Sequence, residues 1–118
     1  NIEGKYKVQS GSYRDNGSAQ EEYAKYSVTI KNVAPGLFYI SDLLGGYYDQ
    51  GRGYGSQYAM TGYIQLLSDN TIKLLSSHVD GFGDSLDSME NGKYNPETGE
   101  ISFDAAYAGQ MTFHVILK

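Results

Sequence analysis

Apolar and polar residues alternate along most of this chain. Lys5-Tyr6-Lys7-Val8-Gln9 sets Tyr6 and Val8 on one face and polar residues on the other, the period-2 pattern of a half-buried strand. Residues 25–31 repeat it through Tyr26, Val28 and Ile30. Residues 100–107 and 110–117 do so again through Ile101, Phe103, Phe113 and Val115. Leu37-Phe38-Tyr39-Ile40 and Ile72-Lys73-Leu74-Leu75 are shorter and more apolar. Residues 58–67 predict another strand, interrupted by Gly62, and residues 86–94 a weaker one. On this phase Val28, Ile30, Ile101, Phe103, Phe113 and Val115 face the core.

The punctuation fits hairpins. Pro35-Gly36 suits the centre of a type II turn, where proline sets φ and glycine takes positive φ. Asp69-Asn70, Asn95-Pro96-Glu97-Thr98-Gly99 and Ala108-Gly109 are further turn signals. No segment sustains a 3.6-residue period, and the expected helix is a single turn near residues 85–89. About eight strands joined by short turns predict an all-β, antiparallel up-and-down meander. Closing it into a small up-and-down barrel removes the edges, provided the strand around residues 5–8 pairs with residues 110–117. A two-sheet β-sandwich is the alternative with the same strands.

At 118 residues the chain is one domain, residues 1–118, large enough for a real core. A net charge of −5, with nine scattered Lys and Arg residues, argues against nucleic acid and against a basic membrane-surface patch. No apolar run approaches the ~20 residues of a transmembrane helix. Cysteine is absent, which excludes disulfides and thiolate metal sites and leaves the redox compartment open. A chain starting at Asn1, without methionine or signal-like segment, is expected to be a processed piece of a longer product.

Residues 45–63 break the alternation. The run GGYYDQGRGYGSQYAMTGY holds five tyrosines and six glycines. Glycine-dense backbone suits display, and phenol rings present both an apolar face and a polar tip. On a binding reading Tyr47, Tyr48, Tyr54 and Tyr58 stack on sugar rings. Asp49, Gln50, Arg52 and Gln57 then bond hydroxyls, since a pyranose has an apolar face and a polar rim. On the competing reading the tyrosines are a lid over one end of the barrel. Arg52, between two glycines, is the residue least useful to packing.

Other chemistry is thin. Asp80, Asp84, Asp87 and Glu90 form an acidic run, but Phe82 and Leu86 interrupt it and the spacing is not that of a calcium loop. His78 and His114, the only imidazoles, fall on different strands, so no metal is expected. No nucleophile elbow, triad order or phosphate loop occurs, and a catalytic carboxylate pair has no positive support. Neither catalysis nor a cofactor is expected.

The ending Gly92-Lys93-Tyr94-Asn95-Pro96-Glu97-Thr98-Gly99-Glu100-Ile101-Ser102-Phe103, with Tyr107 and Phe113-His114-Val115-Ile116-Leu117 behind it, is a G-x-Y…T-G-x-I-x-F pattern. With Tyr39-Ile40-Ser41-Asp42-Leu43-Leu44-Gly45-Gly46-Tyr47-Tyr48 and Val79-Asp80-Gly81-Phe82-Gly83-Asp84-Ser85, it resembles small lipocalin-like, or calycin-like, β domains. These belong to uncharacterised surface lipoproteins of Gram-negative gut anaerobes, and the likeness spans most of the chain. It implies an extracytoplasmic site, at the outer-membrane-anchored cell surface or in the periplasm, with a lipid anchor upstream of Asn1. It supplies no catalytic residues. The expected function is a non-catalytic module that binds a glycan or other small ligand through Tyr47, Tyr48, Arg52, Tyr54, Gln57 and Tyr58. The alternative is a structural or protein-docking module without a ligand of its own, and the oligomeric state is left open.

Overall fold

A computed structural model describes residues 1–118. Ten strands form two antiparallel five-stranded sheets. They are β1 (Gly4–Lys7), β2 (Tyr13–Asp15), β3 (Gln20–Glu22), β4 (Ser27–Ala34), β5 (Leu37–Ile40), β6 (Thr61–Leu66), β7 (Ile72–His78), β8 (Ser88–Asn95), β9 (Glu100–Tyr107) and β10 (Met111–Leu117). The first sheet runs β1-β4-β5-β6-β7 and the second β3-β2-β10-β9-β8. This is the two-sheet sandwich, and the closed barrel is corrected.

The alternating phase is the one expected. Val28, Ile30, Phe38, Ile40, Ile64 and Ile72 of the first sheet are buried, as are Ile101, Phe103, Phe113, Val115 and Leu117 of the second. Each such side chain contributes about 1.5–3 kcal/mol through the water it sheds. The Pro35-Gly36 turn forms between β4 and β5 with Gly36 at φ 70°.

Two features keep the barrel open. Tyr13–Asp15 pairs with Thr112–His114 and so occupies the edge of β10 that β1 would need. Contact between β1 and β10 shrinks to their ends, where Val8 faces Leu117 and the backbones of Lys7 and Lys118 exchange hydrogen bonds of 3.0 and 3.1 Å. On the other side, β8 shifts register between Glu90 and Lys93, with Asn91 at φ 56°. This bulge bends it from β7, leaving one bridge, Thr71 to Lys93. The groove where the sheets part has a volume of about 740 Å³ and is lined by Ile72, Leu74, Met89 and Gly92 among others.

Two further expectations are corrected. Strands β2 and β3 were not anticipated, because Tyr13-Arg14-Asp15 and Gln20-Glu21-Glu22 have no apolar alternation. Residues 85–89 form no helix, since Leu86 is drawn into the core where its N–H meets the Ser77 hydroxyl at 3.0 Å. The helical pieces are a π turn at Tyr47–Gly51 and a 3₁₀ turn at Ser56–Tyr58.

Candidate functional site

The tyrosine- and glycine-rich connection between β5 and β6 begins buried. Leu43 and Leu44 are in the core, and the Leu43 N–H donates to the Met60 carbonyl at 2.7 Å. Asp42 Oδ1 accepts the N–H groups of Leu44 at 2.9 Å and Met60 at 3.2 Å. Its Oδ2 is buried with no protein partner. Burial pushes the Asp42 carboxyl up to about 7, although the backbone donors pull the other way.

Gly45 and Gly46, at φ 62° and 78°, then turn the chain into the π turn. A Cβ at Gly46 would collide with Tyr26 and Gln50, and one at Gly45 would be tight against Tyr23, Val8 and Val115. The turn aims Tyr47 and Tyr48 inward. Their ring centroids lie 5.4 and 6.0 Å from Phe113, and the residues are only 3% and 9% exposed. These two tyrosines are therefore a core lid and not displayed rings, which corrects their placement in a stacking surface.

Arg52 is engaged rather than free. Its guanidinium lies 5.1 Å from the Tyr47 ring centre, donates to the Tyr47 oxygen at 2.6 Å and approaches Glu21 at 3.4 Å. Arg14 packs on the same ring at 5.3 Å, and the Tyr47 hydroxyl donates to Glu21. Burial, then the Glu21 carboxylate, raises the Tyr47 phenol above its ordinary value, against the pull of both arginines. Arg14 and Glu21 carry no motif and lie on β2 and β3, so nothing in the sequence pointed to them.

Beyond Arg52 the chain emerges. Gly53 and Gly55, at φ 71° and 100°, have open space around them, and between them Tyr54 is 54% exposed. One face of its ring stacks on Tyr48 at 6.0 Å and 15°. Tyr58, half-buried, meets it edge-on at 5.3 Å, and Gln57 is exposed beside them.

The loop of residues 79–87 completes the surface. Gly81 donates its N–H to the Gln57 carbonyl at 2.7 Å and lies on the Tyr58 ring, which a Cβ would approach within 2.4 Å. This contact seats Phe82 at 4.9 Å from Tyr58 and 5.1 Å from Tyr48, while leaving it 42% exposed. The Tyr107 hydroxyl donates to Asp84 at 2.6 Å. Burial and then that carboxylate push the Tyr107 phenol well up.

Of the six expected residues, the structure brings Tyr54, Tyr58 and Gln57 to one exposed surface, puts Tyr47 and Tyr48 beneath, and ties Arg52 to Tyr47. Phe82 and Asp84 join the surface without having been anticipated. The signal was the lone phenylalanine in Asp80-Gly81-Phe82-Gly83-Asp84, a position with little use in a solvated loop.

No three His, Asp or Glu side chains converge in a way that would hold a metal ion. His78 pairs with Asp80 at 3.0 Å, while His114, in the other sheet, pairs with Asp104 at 2.6 Å. No helix is long and apolar enough to cross a membrane.

A protein-family model described as "-like, C-terminal domain" matches residues 1–118, the whole chain. A comparison with curated proteins found no match. The crystal structure of the lipoprotein BT2262 from Bacteroides thetaiotaomicron is similar, with a TM-score of 0.93 and 46% identity over 98% of this chain. The chain spans 58% of that lipoprotein's length. The resemblance to lipoprotein domains of Gram-negative gut anaerobes is thus borne out. Matched over its full length, the chain belongs to this family of C-terminal domains.

Proposed function

We propose that this domain is a non-catalytic, extracytoplasmic binding module. It takes a glycan or another small ligand on the ring surface of Tyr54, Tyr58 and Phe82. The observation that supports this reading is the exposure of Tyr54 and Phe82, 54% and 42%, at adjoining points of one aromatic cluster. Large rings held open on a pinned backbone lose little freedom when a ligand stacks on them. Gln57 and Asp84 stand beside the rings as hydrogen-bonding groups for a polar rim. The extracytoplasmic, membrane-anchored assignment draws on the lipoprotein relative.

The test is a glycan array followed by calorimetry on the wild type and Tyr54→Ala. Binding should weaken by about 1–2 kcal/mol in the variant while its fold is retained. No binding by the wild type to any arrayed glycan overturns the reading.

A second reading, docking onto another domain, is favoured by a separate patch. Tyr63 and Leu75 on the outer side of the first sheet are 46% and 52% exposed, and Tyr39 packs edge-on against Tyr63 at 5.7 Å. Substituting Tyr63 and Leu75 by Ser would then abolish association with the remainder of the full-length protein and leave ligand binding intact.

A further inference from the structure

The charges around the ring surface narrow the ligand class. The two loops that build it, residues 45–58 and 79–87, contain four acidic residues, Asp49, Asp80, Asp84 and Asp87, and one basic residue, Arg52. Asp80 and Asp84 stand two positions before and after the exposed Phe82 ring, and both are exposed. Asp84 is fixed by Tyr107, whose ring lies 6.2 Å from Phe82. The one arginine of these loops, Arg52, is already paired with Glu21 at 3.4 Å, and the Asp80 carboxylate lies 3.0 Å from the His78 imidazole. Asp87 Oδ2 accepts the Gly109 N–H at 2.8 Å, which leaves its charge in place.

Resting on the glycan reading above, we infer that this surface selects a saccharide bearing a protonated amine and rejects acidic sugars. An open aromatic face attracts a cation through its quadrupole. Carboxylates at its rim add Coulombic attraction and accept hydrogen bonds from an ammonium group. A uronate or sulfated sugar on the same rings would meet the Asp80 and Asp84 carboxylates beside Phe82 and no unpaired guanidinium. Complementarity of this kind acts more on selectivity than on raw affinity.

The experiment measures binding at pH 6, where the sugar amine is protonated, of a glucosamine hexamer, its N-acetylated counterpart and an oligogalacturonate. The wild type should hold the glucosamine hexamer about twofold to fivefold tighter than the N-acetylated one, as cation–π attraction at an exposed site allows. It should hold the galacturonate weakest. Asp80→Asn combined with Asp84→Asn should collapse that preference, the glucosamine hexamer losing several times more affinity than the N-acetylated one. The amide oxygen introduced by Asp84→Asn still accepts the Tyr107 hydroxyl, so the loop keeps its anchor. Equal affinity for the two hexamers, or a preference for the galacturonate, overturns the amine inference and leaves the glycan reading standing. Absence of binding to all three, with Tyr54→Ala indistinguishable from the wild type, removes both.

Discussion

Asp42 Oδ1 accepts the Met60 N–H at 3.2 Å across 18 residues of chain. The same oxygen accepts the Leu44 N–H, so a single carboxylate joins the two ends of the tyrosine-rich loop. With the base closed, Tyr47 and Tyr48 enter the core under Phe113 and Tyr54 is left outside. The geometry has a cost, because the other carboxylate oxygen is buried without a partner. Asp49 adds a like charge, and the Tyr23 phenol on the neighbouring segment is likewise pushed up, by burial and then by Asp42.

Stability should therefore fall across neutral pH. An unfolded aspartate loses its proton near 3.8, whereas the folded one keeps it to about 7. The folded state binds the extra proton between these values, so the contribution is complete below about 3.8 and is lost as pH rises through about 7. About three pH units correspond to about 4 kcal/mol as an upper bound. The lowered Asp104 and Asp69 act at the acid end, outside this window. Urea melts at pH 5 and pH 8.5 should show the wild type more stable at pH 5. Asp42→Asn, which has no proton to lose, should flatten the slope, and an unchanged slope assigns it to another group.

Much of the fold was legible because strands half-buried in a sandwich must alternate. Leu37–Ile40 and Glu100–Tyr107 coincide with their expected bounds, and all six expected core residues are buried. What escaped notice decided the architecture. Tyr13-Arg14-Asp15 carries no apolar face, yet by pairing with β10 it excludes β1 and converts a barrel into a sandwich. Within the loop, composition spoke for tyrosines at a surface, but not which ones. The partition is set by Asp42, Leu43 and Leu44, which drag the first half inward, and by Gly53 and Gly55, which release the second. The lone Phe82 between two glycines was a local sign of a ring with a purpose, but its place on the surface is set by the long-range contact of Gly81 with Tyr58.

Glycine substitutions should separate close approach from open backbone. A Cβ on Gly92 would lie 2.2 Å from the Ile72 carbonyl oxygen, a backbone atom at the point where β7 and β8 nearly touch. Gly92→Ala should cost about 1–3 kcal/mol through forced strand separation. Gly4, in β1, meets nothing closer than 3.7 Å, and its φ is not positive. Gly4→Ala should stabilise by about 0.4–1 kcal/mol by restricting the unfolded chain. Thermal melts of the two variants check the ordering, and equal behaviour would refute it.

The core should be most sensitive where the sheets meet. Phe103 and Phe113 are 1% and 0% exposed on neighbouring central strands. Either residue changed to Ala should cost about 3–5 kcal/mol. Phe113→Ala should also loosen Tyr47 and Tyr48, which pack on its ring. Chemical denaturation checks the first statement. A larger near-ultraviolet tyrosine signal change for Phe113→Ala than for Phe103→Ala checks the second.

Tyr48 and Tyr54 offer the sharpest comparison, because they stack on each other at the boundary between core and surface. Tyr48 packs against Tyr47, Phe82 and Phe113 as well, so Tyr48→Ala empties a volume that its neighbours only partly refill. A loss of about 3–5 kcal/mol is expected, as for other buried aromatic truncations. Tyr54 has solvent on its outer face and open space around both flanking glycines. Tyr54→Ala should stay within about 0.5 kcal/mol of the wild type. Denaturant unfolding of the two variants measures the difference directly. If Tyr54→Ala proved as damaging as Tyr48→Ala, the outer ring would be a structural part of the lid. The exposed aromatic surface would then have no member free to serve a ligand without unfolding the loop beneath it.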